Sequence, residues 1–354
     1  MSMRVITAGL LCFCGVVFAQ HARLYPAPES DMPAQVDSNS PAFWQGGQMF
    51  LFNSTGDGPI RSSGAGQFQL SNLTPAHINL IHPWPAWIEA AWIDSAGGPL
   101  FAWYHQEHWG LCAGSRLAVP QVGYAVSYDG GETFLDYGGI LESGDPYDCS
   151  SQNGYIAGGY GDFSVVLDRQ RKFFYFLFTN YAGPVETQGI CIARMAFDSR
   201  FSPWGAVFKY YNGGWTEPGV GGRVTPIFPA RVSWQQANTD SFWGPALHWN
   251  TYLQSYVMLL NRSCCSPGFP QKGIYASYSA TIDDPASWTR PEKLLNDPGW
   301  YPQVLGLEPG TTDRLAGRRA RLYIYGNSHL EIEFVKPSAA DNSSANATES
   351  RPPK

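Results

Sequence analysis

Short runs rich in aromatic and aliphatic residues recur along this chain, broken by Gly, Pro, Asn and Asp. Aromatics favour strands and Gly and Pro punctuate turns, so the pattern predicts short strands joined by tight turns. The most complete unit spans Trp87 to Phe134. It begins with WIEAAWID (Trp87–Asp94), turns at Gly97–Pro99, and continues with LFAWYH (Leu100–His105). A loop leads to QVGYAVS (Gln121–Ser127), which runs into SYDGGETF (Ser127–Phe134). Aromatic and β-branched residues dominate these runs, as a pleated surface favours. No window keeps a helical apolar period over three turns.

The order strand, turn, strand, loop, strand, side-chain-stabilised turn describes one four-stranded antiparallel propeller blade. Four other stretches follow the same grammar. Val36–Ser54 is a shortened unit with a turn at Gln45-Gly46-Gly47. Tyr160–Tyr211, Ser241–Thr289 and Gly299–Phe334 supply the other three. The expected fold is therefore all-β, a five-bladed β-propeller in one domain over residues 20–335, with a two-sheet sandwich as the competing architecture. Gln20 to Val36, rich in Pro and polar residues, reads as a lead-in. Residues 336–354 are small, polar and Pro-containing, and read as a disordered tail.

Composition agrees. Aromatic residues make up 15%, with 38 Gly and 27 Pro, which suits many short strands and turns. The net charge of −6 and the lack of any basic run exclude an electrostatic case for nucleic acid. Met1–Arg4 supplies a positive charge, and Val5–Phe18 an apolar segment too short to span a bilayer. With Val17-Phe18-Ala19 before Gln20, residues 1–19 read as a cleaved signal peptide. A secreted or periplasmic protein follows, with no membrane association beyond export. In that oxidising setting Cys112 and Cys149, which fall in loops of the same region, are expected to pair. Cys264–Cys265 is either a vicinal disulfide or two thiols, and Cys191 is expected to be a buried free thiol.

Ser127, Asp129, Gly131, Thr133 and Phe134 form the most specific short motif. It resembles the Asp-box of sialidases and other propeller glycosidases. Its physics is local: Asp129 accepts bonds across the turn, Gly supplies positive φ, and Phe134 packs below. The motif is scaffold, and Asp129 carries no chemistry. The chemical candidates are the acids near the starts of units, because first strands of blades line a central channel where residues distant in sequence converge. Asp37, Glu89 and Asp162 occupy such positions among aromatic residues, where an acid is costly without a purpose. Glycoside hydrolysis needs two carboxyls held in different protonation states. Trp44, Trp87, Tyr104, His105, Glu107, Trp243, His248 and Tyr301 are the expected lining of a sugar site, with Trp rings able to stack on sugar faces. His105 and His108, three apart on one strand, do not suit a shared metal, so no metal site is expected there.

Taken together, these units are similar to the five-bladed propeller glycoside hydrolases, the arabinanase, xylosidase and invertase group. That resemblance implies Asp37 as general base and Asp162 as the residue tuning the acid's pKa. It places the general acid in the fourth unit, where SFWGPALHWN (Ser241–Asn250) has no Glu. Glu89 is then the expected proton donor, with Glu107 and Glu217 as loop alternatives. In related propellers a His near the channel axis can reach a central ion, which makes calcium or sodium beside His248 the ion to look for; no cofactor is required. No arginine triad of the kind a sialidase uses is present. The expected function is hydrolysis of a glycosidic bond in a carbohydrate substrate. The alternative is a non-catalytic propeller that binds glycan or protein through the same face.

Overall fold

A computed structural model describes residues 21–94 and 97–336. The expected signal peptide and nearly all of the expected tail lie outside the described residues. Among those described, no helix is long and apolar enough to cross a membrane. Five antiparallel sheets form a ring, and each sheet is one blade. Blade one comprises Ala42–Gln45, Gln48–Thr55, Gly58–Gly64 and Thr74–Pro75. Blade two comprises Ala86–Ile93, Leu100–His108, Val119–Ser127 and Thr133–Leu141, with His77–Asn79 added in parallel at its rim. Blade three begins at Tyr160–Leu167 and blade four at Asp240–Asn250.

Blade five corrects the sequence reading. Its inner strands are Gln303–Gly306, Arg319–Ile324 and Asn327–Phe334, and its outermost strand is Ala22–Asp31, the segment read as a lead-in. Ala22 pairs with Phe334 and Pro26 with Leu330, so the two ends of the chain close the ring in one sheet. The segment ARLYPAPESD hides this role because an edge strand is exposed on most of its length, and Pro tolerates an edge. The register breaks between Pro26 and Ser30.

The core lies in the seams between blades, one apolar cluster per seam. Trp92, Trp103, Phe163 and Phe176 fill the seam of blades two and three, and Leu247, Trp249, Ile192 and Tyr175 that of three and four. Burying such rings is worth about 1.5–3 kcal/mol each, which holds neighbouring sheets face to face. The disulfide Cys112–Cys149 ties the loop after the second strand of blade two to the loop before blade three. Cys264 is bonded to Cys265, and Cys191 is a buried free thiol.

Candidate active site at one mouth of the channel

All inner strands run in the same sense, so their first residues gather at one mouth of the channel. At that mouth Asp37, Trp87, His105, Glu107, Asp162, Trp243 and Tyr301 line a cavity of about 70 Å³, with Tyr155, Tyr181, Phe269 and Trp300 completing its wall. Backbone irregularity aims these side chains. The pairing of Ala86–Ile93 with its neighbour slips between Ile88 and Ala90, which makes Glu89 the extra residue of a β-bulge. The same slip occurs between Gly161 and Phe163, at Asp162, and between Trp243 and Ala246 in blade four. Bulges re-aim side chains where a regular strand would bury or expose them in alternation. Asp162 also has φ of +41°, an uncommon conformation for a residue with a side chain.

Below this level Asn39 spans the channel. Its Nδ2 donates to the carbonyl of Phe163 at 2.8 Å and of Pro245 at 3.0 Å, linking blades one, three and four. Thr179 ties Asp162 to blade four, donating to the Asp162 carbonyl and accepting from the Gly244 N–H at 3.1 Å. The cavity floor is therefore held by hydrogen bonds between blades, which fixes side-chain positions more tightly than loops would.

Glu89 lies beneath this floor. It is 2% exposed and does not line the cavity. One carboxyl oxygen accepts from the Phe163 N–H at 2.7 Å, and the other lies 3.2 Å from His105 Nδ1. That same Nδ1 accepts the Asp162 N–H at 3.1 Å, so it presents a lone pair. The other ring nitrogen, Nε2, lies 3.6 Å from Glu107 Oε1. Burial pushes Glu89 above the usual carboxylate range, with His105 pulling it back in part. Burial alone would lower His105, but the carboxylates of Glu107, Glu89 and Asp162 outweigh it and hold it well above its ordinary value. Both shifts favour the protonated form of each group.

The cavity acids are shifted too. Burial raises Asp162 to about 7, with Glu89 and Glu107 adding to the rise and His105 and the Tyr181 hydroxyl opposing it. The Tyr181 O–H donates to Asp162 Oδ2. Asp37 is raised to about 6, first by burial, then by Asp162 and Glu107. Two carboxyls whose titrations fall near neutrality, one above the other, can share the roles of proton donor and ionised partner.

Three of the expected lining residues lie elsewhere. Trp44 sits at the end of its inner strand, hence at the opposite mouth, where its Nε1–H donates to the Thr311 carbonyl at 2.8 Å. Tyr104 is buried in the seam of blades one and two, over Gly123, which leaves room for its ring, and its hydroxyl donates to Asp136. His248 is turned into the seam of blades four and five, 5.3 Å from the ring of Phe334. Burial alone drives its pKa down to about 3. A hard cation needs several oxygen ligands, so the surroundings of His248 do not fit calcium or sodium. Glu89, His105 and Asp162 each bring a ligand atom within 4.8 Å of the others. Glu217 pairs with Arg223 at 2.8 Å on an outer strand, away from the cavity.

Tyr155, Tyr181 and Phe269 are the wall residues that the strand pattern did not single out. Tyr181 follows the last residue of Phe173–Asn180 and carries the TNY ending as its one local signal. Tyr155 and Phe269 come from loops and meet at 5.3 Å, with Trp300 against both. A wide cleft of about 940 Å³ adjoins the cavity, sharing Glu107 and Tyr155 and bordered by Trp109, Arg116 and Asn153.

The turn Ser127–Phe134 faces away from all of this. Asp129 accepts from the Glu132 N–H at 3.1 Å, the Thr133 N–H at 2.9 Å, and the Ser127 and Thr133 hydroxyls at 2.7 and 2.6 Å. Phe134 packs against Phe52 of blade one.

No protein-family model and no curated protein matches the chain. Solved structures do. An endo-arabinase from Bacteroides thetaiotaomicron is similar over 87% of this chain and 97% of its own, at 12% identity and a TM-score of 0.53. A Bifidobacterium bifidum protein described as an exo-β-1,3-galactanase is similar over 86% and 90%, at 12% identity and a TM-score of 0.51. At that identity the likeness is one of fold, the five-bladed propeller, along the whole ring.

Proposed function

We propose that this chain is an exported glycoside hydrolase whose reaction takes place at the carboxylate mouth of the channel. The carrying observation is that blades one, two and three bring Asp37, Glu107 and Asp162 to one aromatic-walled cavity. In this reading Asp162, the acid with the higher pKa, is the proton donor to the glycosidic oxygen. Asp37, ionised first, acts as base or nucleophile. Glu89, sealed under the floor, works through His105 as a positioning residue and keeps the imidazole Nε2–H directed at Glu107. Trp87, Trp243 and Tyr301 exclude water around the reacting bond, which strengthens each electrostatic contact inside. Export rests on the sequence of residues 1–19.

The pH dependence follows from the two acids. Asp162 must hold its proton and Asp37 must have lost its own, so the rate peaks between about 6 and about 7 and falls on either side. The cavity, about 70 Å³, is small beside the roughly 300–1,000 Å³ of typical ligand sites. Phe269 and Trp300 must therefore move aside for a sugar to reach the acids. The same small volume favours the second reading, a non-catalytic propeller that binds glycan in the wide cleft.

The test is a screen against arabinan, β-1,3-galactan and aryl glycosides, run beside Asp162→Asn. Sugar release by the native chain, lowered about 10²–10⁴-fold in the variant, is the expected result. Release that the variant leaves unchanged overturns the assignment. Glycan binding with no release on any substrate supports the second reading.

A further inference from the structure

The inner strands end at the other mouth of the channel, and the side chains gathered there are cationic and aromatic. A depression of about 450 Å³ at that mouth continues into a groove of about 660 Å³ between blades three and four. The two share Asp168, Arg169 and Trp249. Three cations of the groove, Arg169, Lys172 and Arg194, have no ion-pair partner among the described residues. Neighbouring Arg171 and Arg314 are paired, with Asp94 and Asp313. In a chain of net charge −6, unpaired cations on one wall are not a product of bulk composition.

Two of the three, Arg169 and Arg194, rest against aromatic rings. The Arg194 guanidinium lies 4.3 Å from the Phe173 ring and 4.7 Å from that of Trp215, and Arg169 lies 5.1 Å from the ring of Trp249. A guanidinium stacked on rings keeps its planar N–H edge for a planar anion. The Trp249 Nε1–H is buried and has no acceptor. Asp168 and Asp283 share the wall. One oxygen of Asp168 accepts the Lys172 N–H at 2.7 Å, and Asp283 accepts the Thr281 hydroxyl. Their remaining lone pairs suit hydroxyl donors, and their charge disfavours a dianion more than a monoanion.

We propose that this groove is a second saccharide site, apart from the carboxylate mouth, that takes a uronate unit of an acidic polysaccharide. The uronate carboxylate lies on Arg194, Arg169 and Lys172, and sugar hydroxyls donate to Asp168 and Asp283. That the ligand is a saccharide rests on the hydrolase reading; the preference for a monoanion does not. The site would hold an acidic chain on the face opposite the one where hydrolysis occurs.

Calorimetry at low salt with the full chain carrying Asp162→Asn, titrated with trigalacturonate, a neutral trisaccharide and inorganic phosphate, tests this. Trigalacturonate should bind at least about tenfold more tightly than the neutral trisaccharide, and Arg194→Gln should weaken it about tenfold to a hundredfold. Lys172→Gln, a change at an exposed residue, should weaken it several-fold and guards against misfolding of the Arg194 variant. Equal binding of acidic and neutral sugars, or indifference to both variants, overturns the proposal. Phosphate that displaces trigalacturonate and binds more tightly also overturns it, as a site for inorganic anions. Hydrolysis by the native chain is read separately, so the two readings fail independently.

Discussion

Blade two carries one aspartate in the turn between its last two strands and blade three carries another near the start of its first, and the two carboxyls have opposite fates. Asp129, in the turn Ser127–Phe134, has little of its surface covered. The slight burial raises it, but bonds from Thr133, Ser127 and Glu132 win and hold it down to about 2. Asp162 also accepts a hydroxyl, yet burial among like charges lifts it to about 7. Hydrogen bonds alone do not decide a carboxyl's state; they decide it only where water still reaches the group. The turn uses its acid to fix a backbone, while the channel mouth pays with stability for an acid that still carries a proton near neutrality.

The same substitution at each place separates these roles. Asp37→Asn should reduce hydrolysis about 10²–10⁴-fold while leaving the unfolding midpoint unchanged or raised, since a desolvated charge is removed. Rate assays beside thermal melts check this; an unchanged rate would place the chemistry elsewhere. Next in size, His105→Phe strands the buried Glu89 carboxyl and should destabilise the fold by about 3 kcal/mol in denaturant titration. Adding Glu89→Gln should recover part of that loss, and no recovery would mean the pair is not coupled. Smallest, Asp129→Asn should cost about 1 kcal/mol, because the amide keeps an acceptor for the turn but loses its charge. Its hydrolysis rate should stay at the native level.

How much of this was legible in the sequence depends on where the determining contact lies. The residues of Trp87–Phe134 gave the first three strands of blade two and the turn into the fourth, Thr133–Leu141, since each is decided by its own residues. Ala22–Asp31 was missed because its strand character comes from pairing with Asn327–Phe334, some three hundred residues away, and its own pattern is polar. Asp37 was read from its place just before an apolar run, which the structure sets ahead of the strand Ala42–Gln45, and Asp162 from its place near the start of Tyr160–Leu167. The depth of Glu89 was not: it turns on a bulge, which a period of two cannot reveal. Tyr104 and His248 were misplaced for the same reason in reverse, because a strand residue that alternates correctly still faces either a seam or the channel. Tyr155 and Phe269 meet only through the folding of two distant loops.

Proton linkage gives the comparison opposite signs. Folding raises Asp162 from 3.8 to about 7 and Asp37 to about 6, so the folded chain binds more protons across that window. Their contribution to stability therefore falls as pH rises from about 4 to about 7. Asp129 is lowered, so its contribution is present above about 4 and is lost as pH falls toward 2.

The most direct test of the carboxylate mouth is a titration of aspartate side-chain carboxyl ¹³C shifts by NMR, in the native chain and in Asp162→Asn. Midpoints near 6 for Asp37 and near 7 for Asp162, with Asp37 moving down when Asp162 is neutralised, are the predicted result. Two independent midpoints near 3.8, the ordinary aspartate value, would contradict it.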